Sequence, residues 1–117
     1  MTSEQLKERT KKFGIRPVKV VEKLPAKRSA ATIGHQLLRC GTSVGANCRA
    51  ACRARSDAEF RPKLGICEEE ADEAIYWFEM IVELGYIPAR QLDDLIREAN
   101  ALLAIIVASI KTSRRKK

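Results

Sequence analysis

From Phe60 to Gly85, small and apolar residues fall at Phe60, Leu64, Cys67, Ala71, Ala74, Phe78, Ile81 and Gly85, in alternating steps of four and three. That spacing holds one stripe on one face of an α-helix and is incompatible with a strand, whose faces alternate at every residue. Ile75, Trp77 and Val82 widen the stripe, so the reading is a helix over about residues 57 to 84 that buries one side. Its ends are marked as well. Ser56 followed by Glu59 fits a capping box, and Gly85 fits the residue just past a helix C-terminus. Pro88 then opens a further helix as a first-turn proline, over about Ala89 to Lys111, with Leu92, Leu95, Ala99, Leu102 and Ile106 on its seam.

The earlier half repeats the pattern. Leu6, Thr10, Phe13, Pro17, Val20 and Leu24 step by four and three, although Gly14 and Pro17 predict a kink or break in that helix. A second helix is expected over about Arg28 to Ala54, with Ile33, Leu37, Cys40 and Val44 on one face. Gly41, Gly45, Cys48 and Cys52 form an adjacent small-residue stripe that lets another helix backbone come close. Four helices with short connections predict an all-α, antiparallel up-down-up-down four-helix bundle. At 117 residues the chain is one domain: residues 1–112 form the bundle and residues 113–117 a basic tail that frays.

The longest purely apolar run, Ala101 to Ala108, is far shorter than the roughly 20 residues that cross a bilayer, so no membrane role is expected. No apolar segment of the kind that directs secretion follows Met1, which makes the cytoplasm the expected location and predicts reduced cysteines. The same run is apolar all round its helix, whereas a bundle buries one face of each helix. The expectation is therefore a homo-oligomer whose interface includes Leu102, Leu103, Ile105, Ile106 and Val107.

Catalytic constellations fail residue by residue. His35 is the single histidine, which excludes the paired Glu-x-x-His pattern of di-iron bundles and stands without a nucleophile elbow. Gly41-Thr42-Ser43-Val44-Gly45 lacks the length and the lysine of a phosphate-binding loop. Cys48 and Cys52 share a helical face with no tight Cys-x-x-Cys turn beside them, so the cysteines read as core residues rather than zinc ligands. No catalytic site, metal, cofactor or small-molecule substrate is expected.

Charge is the remaining signal. The net charge is +7, but residues 64 to 88 hold seven acidic groups and no basic one, while the flanking segments and the tail from Lys111 are strongly basic. The cluster Glu68, Glu69, Glu70, Asp72 and Glu73 contains like charges three and four apart, so it needs cations nearby, and Arg39, Arg49, Arg53 and Arg55 are the obvious partners. A cation held by these carboxylates alone is the less favoured alternative. The first helix carries Lys7, Arg9, Lys11, Lys12, Arg16, Lys19 and Lys23. Multiplied by a symmetric oligomer, such a surface would attract nucleic-acid phosphates without reading bases.

The residues Arg39, Ser43-Val44-Gly45-Ala46-Asn47, Arg55-Ser56, Glu59-Phe60, Leu64, Ile66 and Glu73 resemble the bacterial four-helix bundle family named after the 23S rRNA intervening-sequence protein. Most of the chain takes part, and the specific motif lies within residues 39 to 73. Family members continue this motif as Ile-Ala-Glu-Gly, whereas this chain has Cys48-Arg49-Ala50-Ala51, so Ala50 replaces the motif glutamate and any site that used it is altered. The resemblance implies a cytosolic, non-enzymatic bundle assembled as a ring-like homopentamer. It also implies a link to ribosomal RNA and a similarity to the pentameric nucleic-acid-binding accessory proteins of diversity-generating retroelements.

The two lines together predict a homo-oligomer, pentameric on the resemblance, that binds structured RNA or other nucleic acid through phosphate contacts. Its candidate contact residues are Arg39, Asn47, Arg49, Arg53 and Arg55, with Arg114, Arg115, Lys116 and Lys117 adding nonspecific attraction. Asn47 has a competing role as an interhelical hydrogen-bonding residue, and Arg39, Arg49 and Arg53 either pair with the acidic helix or face a ligand. The alternative is a protein-interaction scaffold in which opposite charge blocks only hold subunits together.

Overall fold

A computed structural model of the chain describes residues 1–115, which form four α-helices and no strand. Helix α1 spans Ser3–Glu22, α2 Arg28–Cys52, α3 Asp57–Glu83 and α4 Ala89–Arg115. Lys116 and Lys117, part of the expected basic tail, lie outside the described residues.

Local chemistry sets the ends. Thr2 and Gln5 close a reciprocal capping box on α1, a signal not read from the sequence. At α3, Ser56 Oγ accepts from the Glu59 N–H at 3.3 Å, but the Glu59 carboxylate accepts from the Arg55 N–H, one residue earlier than the expected box requires. Among the described residues Gly85 is the single one with a left-handed backbone (φ 74°); its N–H reaches the Val82 carbonyl and that of Tyr86 reaches Ile81, which closes α3 as a Schellman motif. Pro88 sits just before α4 rather than inside its first turn.

The expected seams are the core. Leu64, Cys67, Ala71, Ala74, Phe78 and Ile81 of α3 are fully buried against Leu37, Cys40, Val44 and Cys48 of α2, Phe13 of α1, and Leu102 and Ile106 of α4. Helix α2 packs between α1 and α3, and α4 between α3 and α1, so α1 and α3 occupy diagonal corners. Short connections make consecutive helices alternate in direction along a 49 Å axis.

Helix α1 does not break. It runs uninterrupted through Gly14 and Pro17, because the proline ring is buried in a notch made by glycine on α2. A Cβ on Gly41 would lie 2.8 Å from Pro17 Cγ, and one on Gly45 would lie 3.1 Å from the Thr10 carbonyl oxygen. Close packing against α2 therefore offsets the backbone hydrogen bond that Pro17 cannot donate. Helix α2 stops at Cys52, two residues short of expectation, and α4 continues to Arg115. Ser113 is buried rather than frayed, and Arg114 and Arg115 form the last helical residues.

Candidate functional site

The flanks of α2 decide what its arginines do. Gly34, Gly41 and Gly45 face α1, and steps of four carry that flank on to Arg49 and Arg53. Arg39 lies on the other flank, toward α3. Its Nη1 donates to Glu70 Oε2 at 3.0 Å, its Nη2 donates to Glu73, and its Nε donates to Gln36 at 3.3 Å. Trp77 Nε1 also donates to Glu73, at 3.0 Å. The Trp77 and Arg39 hydrogen bonds hold the Glu73 carboxyl below the usual carboxylate range. Arg39 is thus committed to the acidic helix through Glu70 and Glu73, and Arg49, Arg53 and Arg55 make no such pair among the described residues.

Asn47 spends its amide within its own helix, donating to the Ser43 carbonyl at 2.8 Å instead of bridging helices. Arg49 and Arg53 are exposed and line a groove between α1 and α2 with Lys7, Lys11 and Ile15. Arg55 is exposed in the α2–α3 connection, and Arg114 and Arg115 are exposed in the last turn of α4.

The fold brings these arginines to one end. Cys52 Sγ lies 3.8 Å from the Ser3 carbonyl, and Met1 and Asp57 share a shallow groove with Thr112 and Ser113. The starts of α1 and α3 and the finishes of α2 and α4 therefore coincide, which gathers Arg53, Arg55, Arg114 and Arg115 at that end. Glu4, Asp57 and Glu59 dilute the charge there, although Lys7 already engages Glu4 at 2.6 Å. Arg61, on α3 near the same end, has its Nη1 buried without a hydrogen-bond partner, a feature the sequence did not disclose.

Two basic residues of α1 pair with carboxylates of α4. Arg9 forms a two-pronged pair with Glu98 of α4 at 2.8 and 2.7 Å, and Arg16 meets Asp94 at 2.7 Å. The Arg9 hydrogen bond holds the Glu98 carboxyl below its ordinary range. These pairs span the edge where α1 and α4 meet. A signal was available: Arg9 and Glu98 each precede a buried seam residue, Thr10 and Ala99, and so flank their seams.

The expected interface on α4 also changes. Leu102 and Ile106 are wholly inside the chain's own core, and Leu103 and Ile105 pack against it half-buried, as their positions beside the seam dictate. Val107 is half-buried. Apart from Met1, the large apolar residues left exposed are Ile15 and Val18 on α1 and Ile66, Tyr76 and Leu84 on or just past α3.

The thiols belong to the core. Cys40, Cys48 and Cys67 are buried, and burial pushes the Cys40 thiol up to about 12. The hydrogen bond to Cys48, in which the Cys67 thiol is the donor, together with burial, raises Cys67 as well. No group of three or more His, Cys, Asp or Glu side chains converges on a common point among the described residues.

The model of the 23S rRNA-intervening sequence protein family matches residues 4–108. The chain belongs to that family. It is also similar to a protein of unknown function from the S23 ribosomal protein family of Bacteroides thetaiotaomicron VPI-5482, known from its crystal structure. The two are 32% identical and superpose with a TM-score of 0.87 over 95% of this chain and 99% of that one. Curated proteins include no match. Family membership accounts for the four-helix fold and for the motif between Arg39 and Glu73. Within that stretch, Arg39, Glu73 and Asn47 are engaged inside the bundle, and Ala50 is half-buried on α2.

Proposed function

We propose that this chain works without catalysis as a cytoplasmic homo-oligomer, a ring-like pentamer, that binds structured RNA through phosphate contacts at the basic end of each bundle. The observation that carries this reading is the convergence of Arg53, Arg55, Arg114 and Arg115 at one end, exposed and without carboxylate partners among the described residues. Guanidinium groups present planar donor pairs that match phosphate oxygens, and several at one end make a site whose affinity falls with salt. Cations at the finishes of α2 and α4 also complement the helix dipoles, which accounts for Arg53, Arg114 and Arg115 but not for Arg55 in the connection. The family name, which refers to 23S rRNA, supports RNA over DNA as the partner. Binding of nuclease-treated protein to a labelled RNA hairpin, with duplex DNA as competitor, tests the reading. Micromolar or tighter binding that weakens linearly in log salt is expected. Absence of binding at about 50 mM salt contradicts it and leaves a protein-interaction scaffold.

A further inference from the structure

Two buried side-chain atoms lack a hydrogen-bond partner among the described residues, Arg61 Nη1 and Ser113 Oγ, and both fall toward the basic end of the bundle. Ser113 is only 5% exposed, and it lines the groove between the start of α3 and the finish of α4. A helical serine ordinarily donates to the carbonyl four residues back, as Ser109 does to Ile105 at 2.9 Å. Ser113 makes no such bond. A buried hydroxyl left without a partner is destabilising, so the groove holds a hydrogen-bonding group that the fold itself does not use.

The rest of the lining defines what could meet it. Asp57 and Phe60, three apart on α3, share the groove of about 530 Å³ with Ile105, Ser109 and Thr112, which step by four and three along α4. Phe60 and Ile105 are half-buried and packed on the core, so they give the groove an apolar and partly aromatic floor. The Asp57 carboxylate is exposed and has no ion pair among the described residues. The dipole of α3 accounts for an acid in its first turn, but not for an aromatic ring and an unpaired hydroxyl in the same groove. Exposed Arg55, Arg114 and Arg115 stand next to these residues in sequence, whereas no lysine or arginine lines the groove itself. The lining therefore disfavours a phosphate and suits a flat apolar group with hydrogen-bond donors on its edge, attached to an anionic chain. A nucleobase is such a group. Among the RNA bases guanine presents two adjacent donors, N1–H and N2–H, which match the two oxygens of one carboxylate.

Resting on the RNA reading above, we propose that this groove takes one unpaired guanine of the bound RNA. The base stacks on Phe60, its N1–H and N2–H donate to Asp57, and the Ser113 hydroxyl donates to an acceptor of the same nucleotide. Phosphate contacts at the basic end then position the RNA, and the groove reads one base of it.

RNA hairpins that share one stem and a short uridine overhang test the site, with the overhang carrying one guanosine, one inosine or one abasic sugar. Inosine lacks the N2 amine and the abasic sugar lacks the base. Affinities are measured by fluorescence anisotropy across a salt series, and circular dichroism confirms that each protein variant stays helical. The wild type is expected to bind the guanosine hairpin about tenfold tighter than the inosine one, and the abasic hairpin more weakly still. Asp57→Asn is expected to erase the difference between guanosine and inosine while leaving the salt slope unchanged, because the arginines carry the phosphate contacts. Ser113→Ala, which removes an unpaired hydroxyl and so spares the fold, is expected to weaken guanosine binding several-fold. Three hairpins that bind the wild type alike, with the salt slope retained, overturn the base site and leave the basic end standing. A guanosine preference that survives in both variants overturns the site as well. Hairpins that fail to bind at low salt overturn the RNA reading itself.

Discussion

Single residues show which sequence signals were complete in themselves. Gly85 was legible because a Schellman ending is local: it needs a left-handed residue one position past the cap, and glycine takes that conformation at no steric cost. Pro17 was not, because its fate depends on a residue of another helix, Gly41, whose missing side chain makes room for the ring. Gly41→Ala and Gly45→Ala should therefore each destabilise the protein by about 1–3 kcal/mol through overpacking of α1 on α2. Gly65 has nothing within 4 Å of a would-be Cβ, so Gly65→Ala should stabilise by about 0.5–1 kcal/mol through helix propensity alone. Urea unfolding of the three variants checks both signs. Equal destabilisation at Gly41 and Gly65 would refute the notch.

At the scale of helices, the periodicity of apolar residues disclosed all four elements and most of the core, because burial on one face is what that periodicity encodes. The ion pairs were harder to see. Four arginines stood as partners for the acidic helix, and among the described residues only Arg39 pairs with it, since the rotation of α2 puts Arg49 and Arg53 on the α1 flank. The glycine stripe of α2 carried that information, and charge counting ignored it. The same blindness hid the pairing of Arg9 and Arg16 with α4.

These interhelical pairs give the bundle an acid-sensitive component. The carboxyls of Glu73 and Glu98 are held below their ordinary range, so the stability they contribute is fully present above the unfolded value of about 4.3 and is lost as pH falls through the folded value. Glu98→Gln should cost about 1 kcal/mol at pH 7, and the gap to wild type should narrow as pH falls below about 4.3 and through the folded value, where Glu98 takes up its proton. Urea midpoints on acidification measure it. A gap that does not narrow at all on acidification would mean that the Arg9–Glu98 pair contributes through packing rather than charge.

The whole molecule was legible as a four-helix bundle and much less legible as a surface. Its apolar run on α4 resolved into core and core-flanking positions, and the exposed apolar residues turned up on α1 and α3 instead. The reason is register: Leu102 and Ile106 fall on the seam, and Leu103 and Ile105 stand directly beside it, packed against the core. Conversely, arginines scattered over sixty residues of sequence meet at one end, because alternating helices bring the finish of α2 beside that of α4. Sequence proximity therefore hid two things about the candidate residues: that Arg39 and Asn47 make contacts within the bundle, and that Arg114 and Arg115, expected in a fraying tail, stand on a helix at the same end as Arg53 and Arg55.

The most direct test of the basic end is the salt dependence of RNA hairpin binding for two quadruple reversals. In one, Arg53, Arg55, Arg114 and Arg115 become glutamate; in the other, Lys23, Lys27, Arg28 and Arg90 at the opposite end do. If each basic-end arginine neutralises one phosphate of the duplex stem, the first variant should flatten the slope of log affinity against log salt by about 3 to 4, while the second leaves it nearly unchanged. Equal flattening by both would show attraction to overall charge alone and would contradict a site at this end.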